Sequence, residues 1–352
     1  MVSPKSGRSS VRERPDRRAR LSWSRNAADI AGGFQQTRGV PFEVILRHPT
    51  AADAPAVLAV HAAQNVPLIG FADATLADVE DELTAPGVDL ARDSWLALAP
   101  DGTPLGWTLA RRVGVSDRVE LALAVAPDQG SLAEDLWTRS ASRAAEMVAP
   151  GPVRLVTNVY RPDSARTELV RRRGLACRAT FWRMRIDHTV APAEPQLPAG
   201  VTLRTGDEDE QVRRDALLVR NEAFAGHAGM IEREYDEWIT LLEASSSHDW
   251  SLTCVAYVEG EPAAVLVATN DFVPDENCGY VLNLGTRKPF QQRGLGSLLL
   301  RRGFAVDAAR GRAGTILHVD TDPQRPALGF YQRNGMRPVL TIDMWEGLGA
   351  CE

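Results

Sequence analysis

The stretch Gln291-Gln292-Arg293-Gly294-Leu295-Gly296-Ser297 decides how this chain is read. Before it, Gly-Tyr-Val-Leu-Asn-Leu-Gly-Thr at 279–286 has the composition of a buried strand. After it, Leu295, Leu298, Leu299, Ala305, Val306 and Ala309 keep roughly helical spacing over 295–310. A strand that feeds a glycine-broken turn and then a helix leaves free backbone N–H groups at the helix start. Those donors, with the positive end of the helix dipole, suit an anion. Gly294 and Gly296 carry no Cβ, so a phosphate can approach the backbone and unusual φ angles are allowed. Arg293 adds charge. The turn is expected to cradle a pyrophosphate. It is not a P-loop, since it lacks Gly-Lys-Ser/Thr, and the dinucleotide pattern Gly-x-Gly-x-x-Gly fails at Leu299.

Downstream, residues 322–336 read Asp-Pro-Gln-Arg-Pro-Ala-Leu-Gly-Phe-Tyr-Gln-Arg-Asn-Gly-Met. The Gln-x-x-Gly-x-Gly turn and this segment, in this order and spacing, resemble the two signature segments of the GNAT superfamily of acyl-CoA-dependent N-acyltransferases.

The 352 residues have length for one to three domains, and a net charge of −6 argues against a general nucleic-acid binder. Cys177, Cys254, Cys278 and Cys351 are scattered without CxxC or CxxH spacing. That favours reduced thiols in a cytoplasmic protein, with neither a disulfide framework nor a metal site. No apolar run approaches membrane-spanning length, and the N-terminus lacks the apolar core of a signal peptide. Residues 1–40 are Arg-, Ser- and Gly-rich and are expected to form a disordered basic tail.

Strands are expected at 42–47, 95–99, 105–110, 119–125, 153–157 and 179–185, with helices from Thr50, at 131–147 and at 164–173. Ala-Pro-Ala-Glu-Pro-Gln-Leu-Pro at 191–198 reads as a spacer. After it the same order recurs. Leu-Arg-His-Pro-Thr-Ala-Ala-Asp at 46–53 matches Leu-Arg-Thr-Gly-Asp-Glu-Asp at 203–209 in position, and Arg173-Gly174-Leu175 matches Asn334-Gly335-Met336. The expectation is an α/β (α+β) chain with two tandem copies of one unit, at 41–190 and 200–348 around a linker at 191–199. Each copy is a mixed, mostly antiparallel sheet flanked by helices. The resemblance implies the GNAT fold twice.

The copies differ where chemistry is expected. The first reads Ala-Pro-Asp-Gln-Gly-Ser-Leu-Ala-Glu-Asp at 126–135, with one glycine, no basic residue and two acids placed in the first helical turn. Acids there repel a pyrophosphate. Val170 stands where the second copy has Tyr331. The second copy is expected to do the work, with a structural or substrate-shaping first copy.

The resemblance then assigns roles by position. Backbone groups at Leu284, Gly285 and Thr286 would bind the pantetheine arm of acetyl-CoA or another acyl-CoA, and Gln291, Gln292, Arg293, Gly294, Leu295, Gly296 and Ser297 its pyrophosphate. Asp322 stands where the family usually has Asn against the cofactor arm. It keeps the acceptor and drops the amide donor, and it also suits a helix N-cap. Tyr331 corresponds to the tyrosine that protonates the leaving thiolate. The base is open among Asp271, Asp275, Glu276, His318 and His227. A degenerate copy followed by an intact one resembles the arrangement in the actinobacterial mycothiol synthases, and the Ala-, Arg- and Gly-rich composition suits a high-GC bacterium. The implied activity is N-acyl transfer to a small-molecule amine by a monomer or homodimer. Peptide N-terminal acetylation and a non-catalytic acyl-CoA sensor are the rival readings.

Overall fold

The computed structural model describes residues 44–114, 116–226, 232–321 and 327–349. The basic tail, Asp322 and His227 lie outside the described residues. The first repeat runs β1 (Ile45–Arg47), α1 (Ala54–Ile69), α2 (Leu76–Leu83), β2 (Ser94–Leu98), β3 (Pro104–Arg112), β4 (Arg118–Val125), α3 (Gly130–Val148), β5 (Arg154–Tyr160), α4 (Ser164–Arg172) and β6 (Ala176–Asp187). The second runs β7 (Val201–Thr205), α5 (Glu210–Phe224), α6 (Tyr235–Glu243), β8 (Cys254–Val258), β9 (Glu261–Thr269), β10 (Cys278–Thr286), α7 (Leu295–Ala309), β11 (Gly314–Asp320), α8 (Ala327–Arg333) and β12 (Arg337–Leu348). Between them, residues 191–199 hold no regular structure.

All twelve strands form one sheet, in the order β1-β2-β3-β4-β5-β12-β6-β11-β10-β9-β8-β7. The two repeats therefore exchange their last strands. β12 lies against β5 of the first repeat, and β6 lies against β11 of the second. The seam is the antiparallel β6–β12 pair, with Arg185 opposite Arg337 and Ala176 opposite Glu346. Sequence periodicity identifies β6, which was expected at 179–185, but not β12, and it carries no information about which half of a sheet a strand joins.

Side-chain alternation sorts the sheet into two faces. On one, Leu266, Val281, Leu317, Val319 and Met184 pack under α7 and α8 with Leu299, Leu300 and Phe304. Truncating a fully buried leucine such as Leu299 to alanine costs about 2–5 kcal/mol. On the other face Val255, Val265 and Val267 pack under α5 and α6 with Val212, Ala216 and Trp238. The first repeat repeats the scheme, with Leu121, Leu132, Leu136 and Trp137 in one cluster and Val57, Val60, Leu96 and Trp107 in the other.

Local signals set the helix starts. Asp209 accepts from Val212 N at 3.0 Å ahead of α5, and Thr75 with Asp78 forms a capping box ahead of α2. Thr50 caps a short turn at Ala51–Asp53, after which Asp53 leads into α1. α7 is tied to the sheet from below. Asp307 on α7 accepts from Arg312 and, at 2.5 Å, from Thr315 Oγ1 on β11. The carboxylate lies so close over Gly279 that a Cβ there has no room.

Candidate functional site

The site begins where two strands part. β10 and β11 pair in parallel from Cys278↔Gly314 to Val281↔Leu317, and there the ladder stops. Beyond that point β10 stays bonded to β9 as far as Thr286, and β11 stays bonded to β6 as far as Asp320. A register shift between Val281 and Asn283 bends β10 at the parting. The edge of β10 carrying Leu284, Gly285 and Thr286 thus faces a wedge. β10 also runs close beneath α5, where a Cβ on Gly285 would lie 2.8 Å from Ala223 Cβ.

The glycine turn follows at the mouth of this wedge. Gln292 has φ 62° and Gly294 has φ 78°, the left-handed region, and Gly294 caps α7. Hydrogen bonding of the helix begins with Leu298 N donating to Gly294 O at 3.0 Å. The N–H groups of Leu295, Gly296 and Ser297 are therefore the unpaired donors of a helix start. Gln291 braces the turn by donating to Thr286 O at 3.2 Å. The exposed Arg293 guanidinium stacks 5.4 Å over the buried Phe290 ring.

α8 closes the group. A Cβ on Gly296 would stand 3.4 Å from Phe330 Cζ and 3.9 Å from Thr286 Oγ1, so β10, the turn and α8 converge there. The neighbouring Tyr331 meets Phe330 edge-on with ring centroids 5.1 Å apart and packs on the core beneath α7. Burial pushes its phenol up to about 12. Asn334, used in the sequence only to align the two copies, donates to Ser297 Oγ at 3.3 Å and to Phe330 O at 2.9 Å. Those bonds hold the end of α8 against the turn.

The opposite face of the parting carries a different chemistry. Leu317 and Val319 point to α7, so His318 between them points away, beside Tyr280. Arg183, on the exchanged strand β6, donates to His318 Nε2 at 3.3 Å. It also donates to both oxygens of Asp73 at 2.6 and 2.7 Å and to Glu276 at 3.2 Å, and stacks 4.5 Å over Phe272. An arginine only donates, so Nε2 is the acceptor and His318 carries its proton on Nδ1, facing Tyr280 Oη at 3.0 Å. Burial, and Arg183 after it, hold this imidazole down at about 3. With both nitrogens engaged, His318 is not free to take a substrate proton.

The other base candidates have separate fates. Glu276 is committed to Arg183 and Arg185. Asp271 accepts from Ser247, and Asp275 from Glu276 N at 2.8 Å. Burial raises the Asp275 carboxyl. Asp73, Asp275 and Glu276 approach within 4.8 Å of one another, but Arg183 already neutralises two of them.

The first repeat has the same parting, since β4 and β5 pair only from Arg118↔Arg154 to Glu120↔Val156. Protein groups occupy it. Thr157 Oγ1 donates to Leu121 O at 2.8 Å, and Gln64 Oε1 accepts from Val125 N at 2.8 Å. The half-buried Arg166 donates to the same Thr157 hydroxyl at 3.2 Å. The sequence reading placed two acids in the first turn of the following helix, and this is corrected. α3 starts at Gly130, so its first turn holds no acid, and Glu134 is paired with Arg172 and Arg173 at 2.6 Å each. The plugged wedge and the fully buried Val170 distinguish this repeat from the second.

A strand parting, a glycine-capped helix at its mouth and the fold built twice in one sheet define a tandem GNAT-fold protein. Residues 218–336 match the model of the family described as "Acetyltransferase (GNAT) family". Among solved structures, a GCN5-related N-acetyltransferase from Sphaerobacter thermophilus is similar with TM-score 0.75 and 22% identity, over 88% of this chain and 97% of that one. A tandem GNAT protein from the clavulanic acid biosynthesis pathway is similar with TM-score 0.71 and 14% identity, over 88% of this chain and 100% of that one. No curated protein matches. The chain thus has the GNAT fold built twice, with a match to the family model in its second half, and no helix among its described residues is long and apolar enough to cross a membrane.

Proposed function

We propose that the chain is an acyl-CoA-dependent N-acyltransferase, using acetyl-CoA, whose C-terminal repeat acylates the primary amine of a small molecule. One observation carries the reading. β10 and β11 stop pairing at Val281↔Leu317, ahead of the Gly294 turn, whereas in the first repeat Thr157 and Gln64 hydrogen-bond the backbone of the equivalent strand β4.

The pantetheine arm lies along the free edge of β10 at Leu284, Gly285 and Thr286, as an added strand would. The pyrophosphate rests on the N–H groups of Leu295, Gly296 and Ser297, with Gln291, Gln292, Arg293 and Gly294 around it. This sets the thioester in the wedge, with Tyr331 on the α7 face and the His318–Tyr280 pair on the other. A neutral amine attacks the thioester carbonyl from the second face and forms the C–N bond. As the tetrahedral intermediate collapses, the C–S bond breaks and Tyr331 passes its proton to the departing thiolate. The amine's surplus proton leaves to a carboxylate on its own face or to water. The same burial that raises the phenol also raises a thiolate beside it, which keeps the transfer matched. By the resemblance, Asp322 would meet the cofactor arm.

The test is a thiol-release assay with acetyl-CoA over a panel of small amines, with product mass measured. Amine-dependent release with a mass gain of one acetyl group is expected. Tight acetyl-CoA binding without release from any amine or N-terminal peptide would instead make the chain a sensor.

A further inference from the structure

α8 reaches the glycine turn through one side chain that the mechanism does not use. Asn334, the residue that follows α8, takes a hydrogen bond from Arg301 Nε of α7 on its Oδ1 at 3.3 Å. A guanidinium only donates, so the amide oxygen faces Arg301 and the amide nitrogen faces the other way. The two Nδ2 protons then go to Phe330 O at 2.9 Å and to Ser297 Oγ at 3.3 Å. An amide nitrogen does not accept, so Ser297 Oγ is the acceptor of that bond and keeps its own proton to give. No acceptor for it stands among the described residues. Ser297 is the third residue of α7, and Gly294 ahead of it brings no capping side chain. The hydroxyl therefore joins the unpaired N–H groups of Leu295, Gly296 and Ser297 as a fourth donor at the helix start.

The first repeat shows the same brace without the donor. Arg173, which aligns with Asn334 and follows α4, donates to Glu134 Oε2 at 2.6 Å and to Thr138 Oγ1 at 3.0 Å on α3. The Thr138 proton turns back to its own helix, to Glu134 O at 2.8 Å. Such back-bonding is open to any helical serine or threonine, and it removes the donor. We infer that Asn334 is a positioning residue for the cofactor, which holds the Ser297 hydroxyl as a hydrogen-bond donor to the pyrophosphate of the acyl-CoA. The inference rests on the cofactor site of the acyltransferase reading above and deepens it. Asn334 touches no substrate itself. Its side chain is neutral, so its influence passes through the orientation of Ser297 and not through charge. A hydroxyl aimed at an ionised phosphate makes a stronger hydrogen bond than one shared between neutral groups.

The experiment measures dissociation constants for CoA and for pantetheine, the part of the cofactor without the pyrophosphate. The full chain is compared with Asn334→Leu, Ser297→Ala and the double variant. Leucine keeps the branching of asparagine and removes the donor. CoA is expected to bind about tenfold more weakly in each single variant, the effect of one hydrogen bond to a charged group. The double variant should bind CoA no more weakly than Ser297→Ala alone, because Asn334 acts through that hydroxyl. Pantetheine should bind all four proteins equally, which a merely structural loss at the end of α8 would not allow. Parental CoA affinity in either single variant, additive losses in the double variant, or an equal loss for pantetheine and CoA would overturn the inference. Should Asn334→Leu fail to fold, parental CoA affinity in Ser297→Ala alone is enough to overturn it. A parent chain that binds CoA in this pattern but releases no thiol with any amine would remove the acyltransferase reading and leave the role of Asn334. Thiol release by a parent whose Asn334→Leu variant binds CoA equally well would do the reverse, and a parent that binds no CoA would remove both.

Discussion

Arg183 donates to Nε2 of His318 at 3.3 Å, joining a strand of the first repeat to a strand of the second at the point where β10 and β11 part. The contact fixes the imidazole tautomer, and the same guanidinium holds Asp73 and Glu276. The first repeat thus supplies a residue to the strand parting of the second.

Arg183→Met should therefore do more than remove a charge. It leaves Asp73 and Glu276 without their shared cation, and breaking one member out of a buried ion-pair group costs about 3–5 kcal/mol. Urea denaturation should show a loss of that order. A variant as stable as the parent would mean that the cluster is solvated and does not hold the seam.

Gly294→Val should abolish most acetyl-CoA binding in calorimetry. The backbone there is left-handed at φ 78°, which strains a β-branched residue, and the new side chain stands in the path of the phosphates. Gly294→Asn, which tolerates that conformation, separates the two effects. It should restore the fold and recover binding only in part. Full affinity in the valine variant would remove the turn from the cofactor site.

Tyr331→Phe keeps the ring against Phe330 and the core, so acetyl-CoA affinity should be unchanged. A general acid contributes about 10²–10⁴-fold, so kcat should fall on the order of a hundredfold. The phenol is the active form while protonated, and burial places its titration near 12. No loss of rate from tyrosine ionisation is therefore expected as the pH rises to 10, although an ordinary tyrosine would begin to titrate there. A phenylalanine variant with parental kcat would show that the proton comes from elsewhere.

One acetyl-CoA should bind per chain. In the first repeat, Gln64 satisfies Val125 N and Thr157 satisfies Leu121 O, the backbone groups a second cofactor arm would need. Gln64→Ala should leave the stoichiometry at one while costing about 1–3 kcal/mol for the orphaned N–H. Two equivalent sites in calorimetry would contradict the plug.

Acid should weaken the fold through its buried histidines. His61 and His318 titrate near 4 and 3 in the folded chain, against about 6.5 unfolded. Between these values the unfolded chain holds more protons, so stability falls as pH drops from about 6.5 towards 4. Each such histidine contributes up to about 1.36 kcal/mol per pH unit in that window. Glu82 acts with the opposite sign, because its folded value near 7 exceeds the unfolded one and protonation favours the fold between them. Melting temperatures from pH 7 to 4.5 should accordingly fall less steeply in His318→Gln and more steeply in Glu82→Gln. Identical slopes in both variants and the parent would refute the burial of these groups.

The repeat, the strand before the turn and the helix after it were legible because each rests on local pattern. β10 is read from its apolar run, and α7 from the spacing of Leu295, Leu298 and Leu299. The contrast between repeats was legible only in part. Val170 in place of Tyr331 can be seen in the sequence. Gln64 and Thr157 cannot be singled out, because their partners Val125 and Leu121 lie far away in the chain and offer only backbone atoms. The helix start was read at Ser131, one residue from Gly130, but Glu134 and Asp135 were placed in a first turn that ends before them. Arg183, Asp73 and His61 looked like ordinary surface or core residues. Nothing local reveals that β6 crosses to the other half of the sheet and carries Arg183 to His318.

A chain whose two halves trade their final strands has the topology of a strand-swapped homodimer whose subunits are joined, here through 191–199. In a dimer of identical subunits every mutation is made twice, so neither active site can be lost alone. Fusion ends that symmetry. In one chain the halves can differ, and here only the first places Gln64 and Thr157 on the backbone of its parting strand. Neither half can now leave, because β6 finds both its neighbours in the partner's sequence.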